Sequence, residues 1–211
     1  MTVIAIDGTF ASGKGTLGKA LAAHYSLPYL DTGKLYRATA KQVLDMGGDV
    51  AIEADGEKAA KQITPEALND PILKSGPIGA AASKVSIHPA VRKALFAFQQ
   101  DFAAKGGILD GRDIGTVICP NADVKLFVTA SQEERARRRH AELTGYGESL
   151  TEEDVLAQLI ERDTRDSTRA VAPLKPAQDA HLLDTTSMSI TEVLQAAIKI
   201  CDTVLAQADV K

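Results

Sequence analysis

The chain has 211 residues, of which 45% are hydrophobic and 25% charged, enough apolar material to bury one globular core without disulfide staples. Its 24 basic and 28 acidic residues leave a net charge of −4, which excludes the basic field that nonspecific nucleic-acid or acidic-membrane binding needs, and 4% aromatics with no Trp cannot supply a base-stacking platform. No apolar run approaches the roughly 20 residues of a membrane span, and the opening residues lack the basic start and long apolar stretch of a secretory signal, so a cytoplasmic location is expected.

A short apolar strand is predicted from Thr2 to Asp7, followed by a loop of the form Gly-x4-Gly-Lys: Gly8, Thr9, Phe10, Ala11, Ser12, Gly13, Lys14, Gly15 and Thr16. A helix carrying Leu17 and Leu21 comes next, and that context makes the motif specific. Amides of the loop and of the helix N-terminus point at a polyphosphate, while Lys14 adds a mobile positive charge. The strict pattern places Ser or Thr directly after the lysine as a magnesium ligand. Gly15 stands there instead, so magnesium is expected to be held mostly by nucleotide phosphates and water.

A second strand is predicted from Pro28 to Leu30. About 75 Ala-rich residues then separate it from the next strand, too many for a βα loop, and they are read as a helical insertion. Within it Pro89 opens a helix whose Val91, Leu95, Phe98 and Phe102 form one apolar stripe. The third strand, Gly107 to Asp110, delivers Asp110 to the C-terminal sheet edge beside the phosphate loop, where it is expected to orient magnesium-bound water. A fourth strand is predicted from Val124 to Thr129. After it an Arg-dense helix runs to a Gly-containing break at Thr144 to Ser149, which is read as a lid tip.

Thr151 and Asp154 then resemble a capping box. In the helix they open, Arg162, Arg165, Asp166 and Arg169 occupy i, i+3, i+4 and i+7 and are expected on one face, with Val155, Leu156, Leu159 and Ile160 packing opposite. A fifth strand, Ala180 to Leu183, and a covering helix from about Thr191 to Leu205 complete the pattern. Five short apolar strands alternating with helices predict an α/β fold with a parallel sheet covered on both faces. Cys119 and Cys201, far apart and flanked by apolar residues, are expected to be buried reduced thiols. The ten arginines mostly flank the lid or a strand end. Each guanidinium near a phosphate offsets about 4 kcal/mol of repulsion at 4 Å with an effective dielectric near 20.

These residues match a family: the chain resembles the bacterial cytidylate kinases. The match rests on Gly8 to Thr16, Leu30-Asp31-Thr32-Gly33 with Tyr36-Arg37, Asp110-Gly111-Arg112-Asp113 with Gly115-Thr116, and Glu161-Arg162-Asp163 through Arg165-Asp166 to Arg169-Ala170-Val171-Ala172-Pro173-Leu174. It spans almost the whole length. The resemblance implies a P-loop kinase fold, a five-stranded parallel sheet flanked by helices with a helical NMP-binding insertion and a short lid: core at about 1–35, 106–135 and 150–211, insertion at about 36–105, lid at about 136–150. It implies transfer of the ATP γ-phosphoryl group to CMP or dCMP, with Mg2+, by a cytoplasmic monomer of pyrimidine nucleotide metabolism.

In that reading Thr32, Tyr36, Arg37, Arg112 and Arg169 surround the CMP phosphate, Arg162 and Asp166 lie by the sugar, and Ser83, Arg92 and Asp113 read cytosine. Lys14, Arg112 and Arg169 clamp the transferring group, with Arg135, Arg138 and Arg139 arriving from the lid on the ATP side. A carboxylate facing the cytosine amine and a guanidinium facing N3 and O2 make the base assignment chemically sensible. The loop departs from relatives at Thr9, Phe10 and Ala11, commonly Pro, Ser and Gly, and the stretch from about Thr64 to Gly79 is short, so a helical insertion is expected where some relatives fold a small sheet. The alternative readings are a kinase of the same fold acting on UMP, AMP or a non-nucleotide alcohol, and a nucleotide-dependent switch. Against the switch, no Asn-Lys-x-Asp guanine-reading motif occurs and Gly15 lacks the magnesium hydroxyl.

Overall fold

Five strands, β1 (Val3–Gly8), β2 (Tyr29–Asp31), β3 (Gly107–Asp110), β4 (Val124–Thr129) and β5 (His181–Asp184), pair in parallel in the order β2-β3-β1-β4-β5. They are seen in a computed structural model, which describes residues 1–208. The strand carrying the phosphate loop is therefore central, with Ile4 in register with Ile108 on one side and Val124 on the other. Side chains alternate across the sheet as the two-residue period requires. Ile4, Ile6, Ile108 and Leu126 pack with Leu17 and Leu21 of α1 (Lys14–Tyr25) on one face. Ala5 and Leu109 pack on the other face with Leu35 of α2 (Thr32–Asp45), and Leu95 of a later helix joins them.

The segment between β2 and β3 holds helices joined by turns and no strand: α2, α3 (Glu53–Ala60), two short 3-10 turns at Glu66–Asn69 and Pro71–Lys74, α4 (Gly76–Val85) and α5 (Pro89–Ala103). On α5 Val91 and Leu95 are buried, and Phe98 and Phe102 pack against the same core. After β4 come α6 (Gln132–Gly145) and α7 (Glu152–Thr168), joined by a turn in which Gly147 takes φ +82°. The last helix, α8 (Ile190–Ala208), covers the α1 face through Ala197 and Cys201. Among the described residues no helix is long and apolar enough to cross a membrane. Both cysteines are buried and free.

Several expectations are corrected. Strands β1, β2 and β5 each start and end one residue later than the apolar pattern implies, because ladder register rather than composition sets the ends; β5 pairs from His181 to Asp184. Strand β5 is also an edge strand, with Leu182 exposed. Helix α8 extends beyond Thr191 to Leu205 at both ends. Ile160 is exposed, while Val155 and Leu159 are buried. Arg169 lies beyond the end of α7 with extended backbone, φ −60° and ψ 142°, so it is not the last member of a helical stripe.

The capping box at the start of α7 is present in full. Thr151 Oγ1 accepts from the Asp154 amide at 3.1 Å, and Asp154 Oδ2 accepts from the Thr151 amide at 3.0 Å. Thr151→Ala is expected to cost about 1 kcal/mol of stability, checked by urea unfolding.

Candidate functional site

The phosphate loop begins where β1 ends. Gly8 has φ +149°, and a Cβ there would run into the Val128 carbonyl of β4, so the loop leaves the sheet at a point only glycine permits. The Thr9 amide donates to that same carbonyl at 3.2 Å. Ala11 and Gly13 both take left-handed backbone, φ +59° and +90°; Ala11 bears a strain of about 1 kcal/mol that glycine would avoid. Lys14, at the first turn of α1, curls back to donate from Nζ to the Thr9 carbonyl at 2.6 Å and to Ser12 Oγ at 3.4 Å. It is buried, and burial with the nearby Arg112 pushes its ammonium below the usual lysine range, against Asp110 and Asp7, which favour the charge.

Asp110 closes this corner from the end of β3. Burial and Asp31 push its carboxyl up, while Lys14, the Tyr29 hydroxyl and Arg112 pull it down. Tyr29 Oη donates to Asp110 Oδ2 at 2.6 Å, and a side chain at Gly15 would begin 3.7 Å from both of those atoms. Thr32 Oγ1 donates to the Asp110 carbonyl at 2.6 Å, so the first residue of α2 is tied to the end of β3. Thr16 is exposed on α1. One residue before the loop, the buried Asp7 carboxylate accepts from the Ile114 and Gly115 amides, both at 2.7 Å. Burial raises its pKa to about 6 against the two amides, which leaves it ionised at pH 7.

The arginines come from four helices, α2, α5, α6 and α7, and from the segments that follow β3 and α7. Arg112 Nε donates to Asp166 Oδ2 at 3.0 Å, and Arg162 Nε lies 3.9 Å from the same oxygen. Burial alone would raise the Asp166 carboxyl, but Arg112, Arg162 and Arg169 hold it below the usual range. Asp113 is buried between Arg92 Nη2 at 2.5 Å and Arg169 Nη2 at 3.4 Å, and the Arg92 guanidinium lies over the Tyr36 ring at 5.5 Å. Ser83 Oγ accepts from Arg165 Nη1 at 2.6 Å. Arg37 Nη1 donates to the Leu73 carbonyl at 2.6 Å.

On α6, Arg135 is buried against the Ala130 and Phe10 carbonyls and pairs with Asp163 at 2.7 Å. Arg138 reaches Glu134 and Thr185, and Arg139 reaches Glu142 at 2.7 Å. Lys14, Asp110, Arg37, Arg112, Arg139 and Arg162 all line one cleft of about 910 Å3. Tyr36, Arg92 and Asp113 line a second cavity of about 290 Å3. The cleft is thus lined by loop residues, a buried lysine and several arginines, and Asp113 and Arg92 hold a buried carboxylate and guanidinium side by side.

A family model described as cytidylate kinase matches residues 4–203. The chain belongs to the cytidylate kinase family. It is 55% identical over 202 residues to the cytidylate kinase of Afipia carboxidovorans, covering 95% of this chain and 97% of that protein. It is 56% identical over 204 residues to the cytidylate kinase of Nitrobacter winogradskyi, covering 96% of each. An uncharacterized protein from Eubacterium ventriosum shares the fold, with a TM-score of 0.53 at 16% identity over 96% of this chain and 98% of that one. The chain accordingly has cytidylate kinase activity, that of a nucleotide-binding transferase in a kinase family that uses ATP.

Of the residues singled out from the sequence, the loop, Asp110, Arg112, Arg162 and Asp166 meet at one edge, and Asp113 and Arg92 meet beside it. Arg165 turns to Ser83 and Glu161. Four partners of this family member's site were not found in the sequence: Tyr29 behind Asp110, Asp163 behind Arg135, Thr185 behind Arg138, and Asp7 under Ile114 and Gly115. Two carried a signal: Asp7, as the acidic end of an otherwise apolar strand, and Asp163, as part of the Glu161-Arg162-Asp163 motif.

Proposed function

We propose that this chain transfers the γ-phosphoryl group of ATP to CMP or dCMP, giving ADP and CDP or dCDP, as a cytoplasmic monomer. The observation that carries the reading is the Asp113–Arg92 pair beside the arginine-lined cleft. Cytosine presents an amine donor next to two acceptors. A carboxylate and a guanidinium together match that edge, and uracil would turn a carbonyl toward Asp113. The core at about 1–35, 106–135 and 150–211 carries the loop, the insertion at about 36–105 carries the base readers Ser83 and Arg92, and the lid at about 136–150 carries Arg138 and Arg139.

The loop amides and Lys14 hold the ATP phosphates, with Arg135, Arg138 and Arg139 on the same side. Thr32, Tyr36, Arg37, Arg112 and Arg169 take the CMP phosphate, and Arg162 and Asp166 the sugar. Lys14, Arg112 and Arg169 clamp the transferring group, so catalysis is positioning and charge stabilisation in a water-excluding site. The protein donors fit a magnesium ion carried in by the nucleotide: Asp110 offers one buried carboxylate, Gly15 offers no hydroxyl, and no group of three metal-ligating side chains exists among the described residues. Such an ion would neutralise charge on the transferring group, and Asp110 is the side chain that would hold it, through water.

The test is ADP release from magnesium-ATP with CMP, dCMP, UMP, AMP and no acceptor. Strong turnover with CMP and dCMP, and little ATP loss in the blank, is expected. Faster turnover with UMP or AMP would overturn the cytosine assignment.

A further inference from the structure

The phosphate loop carries an aromatic ring that phosphate binding does not require. The Phe10 ring lies under two guanidiniums: Arg162 Cζ is 4.0 Å from the ring centre and Arg139 Cζ is 5.6 Å. Those arginines come from α7 and α6, and the Phe10 carbonyl accepts from a third, Arg135 Nη1, at 3.1 Å. One loop residue thus touches arginines of both helices that close the cleft.

The chemistry of that contact differs from that of an ion pair. Arg37, Arg112, Arg139 and Arg162 crowd the same cleft and repel one another, and burial among them brings Arg162 down to about 9. A carboxylate would relieve the repulsion but would occupy the N–H groups that a phosphate needs. An aromatic face attracts the cation through its quadrupole and leaves the in-plane N–H donors free. The remaining contacts of Arg162 are weak: Nη1 reaches the Gly79 carbonyl at 3.4 Å, Nε stands 3.9 Å from Asp166, and the buried Nε has no hydrogen-bond partner among the described residues. A donor left open in this way, on a guanidinium held by its face, is poised for an anion's oxygen.

We infer that Phe10 is a positioning residue for phosphoryl transfer: its ring is a platform that holds Arg162 beside the phosphate loop with Nε free for a phosphate oxygen, alongside the place by the sugar proposed above, and steadies at longer range Arg139, whose Nη1 is engaged by Glu142. The inference rests on the assignment of this cleft to phosphoryl transfer. It adds that a loop side chain, and not only the loop backbone, organises the arginines of α6 and α7.

The full chain is compared with Phe10→Leu, which keeps bulk without the quadrupole, and Phe10→Tyr, which keeps the aromatic face. The readouts are kcat with magnesium-ATP and CMP, affinity for a non-hydrolysable ATP analogue by calorimetry, and the thermal midpoint. The leucine variant is expected to lose about tenfold in kcat, equivalent to about 1.4 kcal/mol, with at least a threefold loss of analogue affinity and an unchanged midpoint. Tyrosine is expected to restore both to within about threefold of the parent. A loss in either readout that tyrosine reverses supports the platform. The inference is overturned if the leucine variant stays within twofold of the parent in both, or if tyrosine does no better than leucine. A parent chain inactive with CMP would instead remove the acceptor assignment, and analogue affinity would still decide the role of the ring.

Discussion

Lys14→Ala is expected to lower kcat for phosphoryl transfer about a thousandfold while leaving the fold intact. The ammonium is buried at the start of α1, and its direct partners are the Thr9 carbonyl and the Ser12 hydroxyl, neither of which carries a charge. Removing one preorganised charged donor from a site of this kind costs on the order of 10^2 to 10^3 in rate, because its interaction grows as charge redistributes over the transferring group. Stability should move the other way or not at all. Burial and Arg112 already disfavour the charge in the free protein, so alanine relieves a cost as it removes a function. The check is kcat under saturating ATP and CMP together with the thermal midpoint. A kcat within tenfold of the parent would remove Lys14 from the transfer step.

Asp113→Asn is expected to damage both specificity and stability. The carboxylate lies between Arg92 and Arg169, all three little exposed, so the amide leaves two guanidiniums without their shared counter-charge. Breaking a buried pair by removing one partner costs about 3–5 kcal/mol, which at this chain length lowers the thermal midpoint by roughly 10 °C. The ratio of kcat/KM for CMP over UMP should fall at least tenfold, since a bidentate base contact contributes about 1–3 kcal/mol of discrimination. Both are measured well below the variant's own midpoint. A lower midpoint with an unchanged CMP-to-UMP ratio would make Asp113 a structural ion-pair partner and nothing more.

The parts of the site legible in the sequence are those whose chemistry is local. A strand, five loop residues and a helix are contiguous from Val3 to Tyr25, and the cap pairs Thr151 with Asp154 three positions on, so spacing alone fixes which groups meet. Partner choice across the fold is not local. Tyr29 finds Asp110 across 81 positions and Asp7 finds Ile114 across 107, and periodicity reports which face a residue is on, not what lies opposite. Arg169 shows the same limit. Helical spacing placed it one turn beyond Asp166, but α7 stops at Thr168, and its guanidinium reaches Asp113 from extended backbone. Arg135 reads from sequence as an arginine that arrives with the lid on the ATP side, whereas Asp163 and the Ala130 and Phe10 carbonyls already engage it.

The central place of β1 in the sheet has a further consequence, during synthesis on the ribosome. Val3 pairs with Gly107 and Ile4 with Val124, so the first strand made has no neighbour until more than a hundred further residues have been added. At 5–20 residues per second that interval is roughly 5 to 20 s. Through it the apolar segment from Val3 to Ile6 lacks the strands it pairs with, which leaves apolar surface exposed to aggregation. Nucleotide cannot rescue the nascent chain either, because the loop has no sheet to stand on until β3 and β4 flank it.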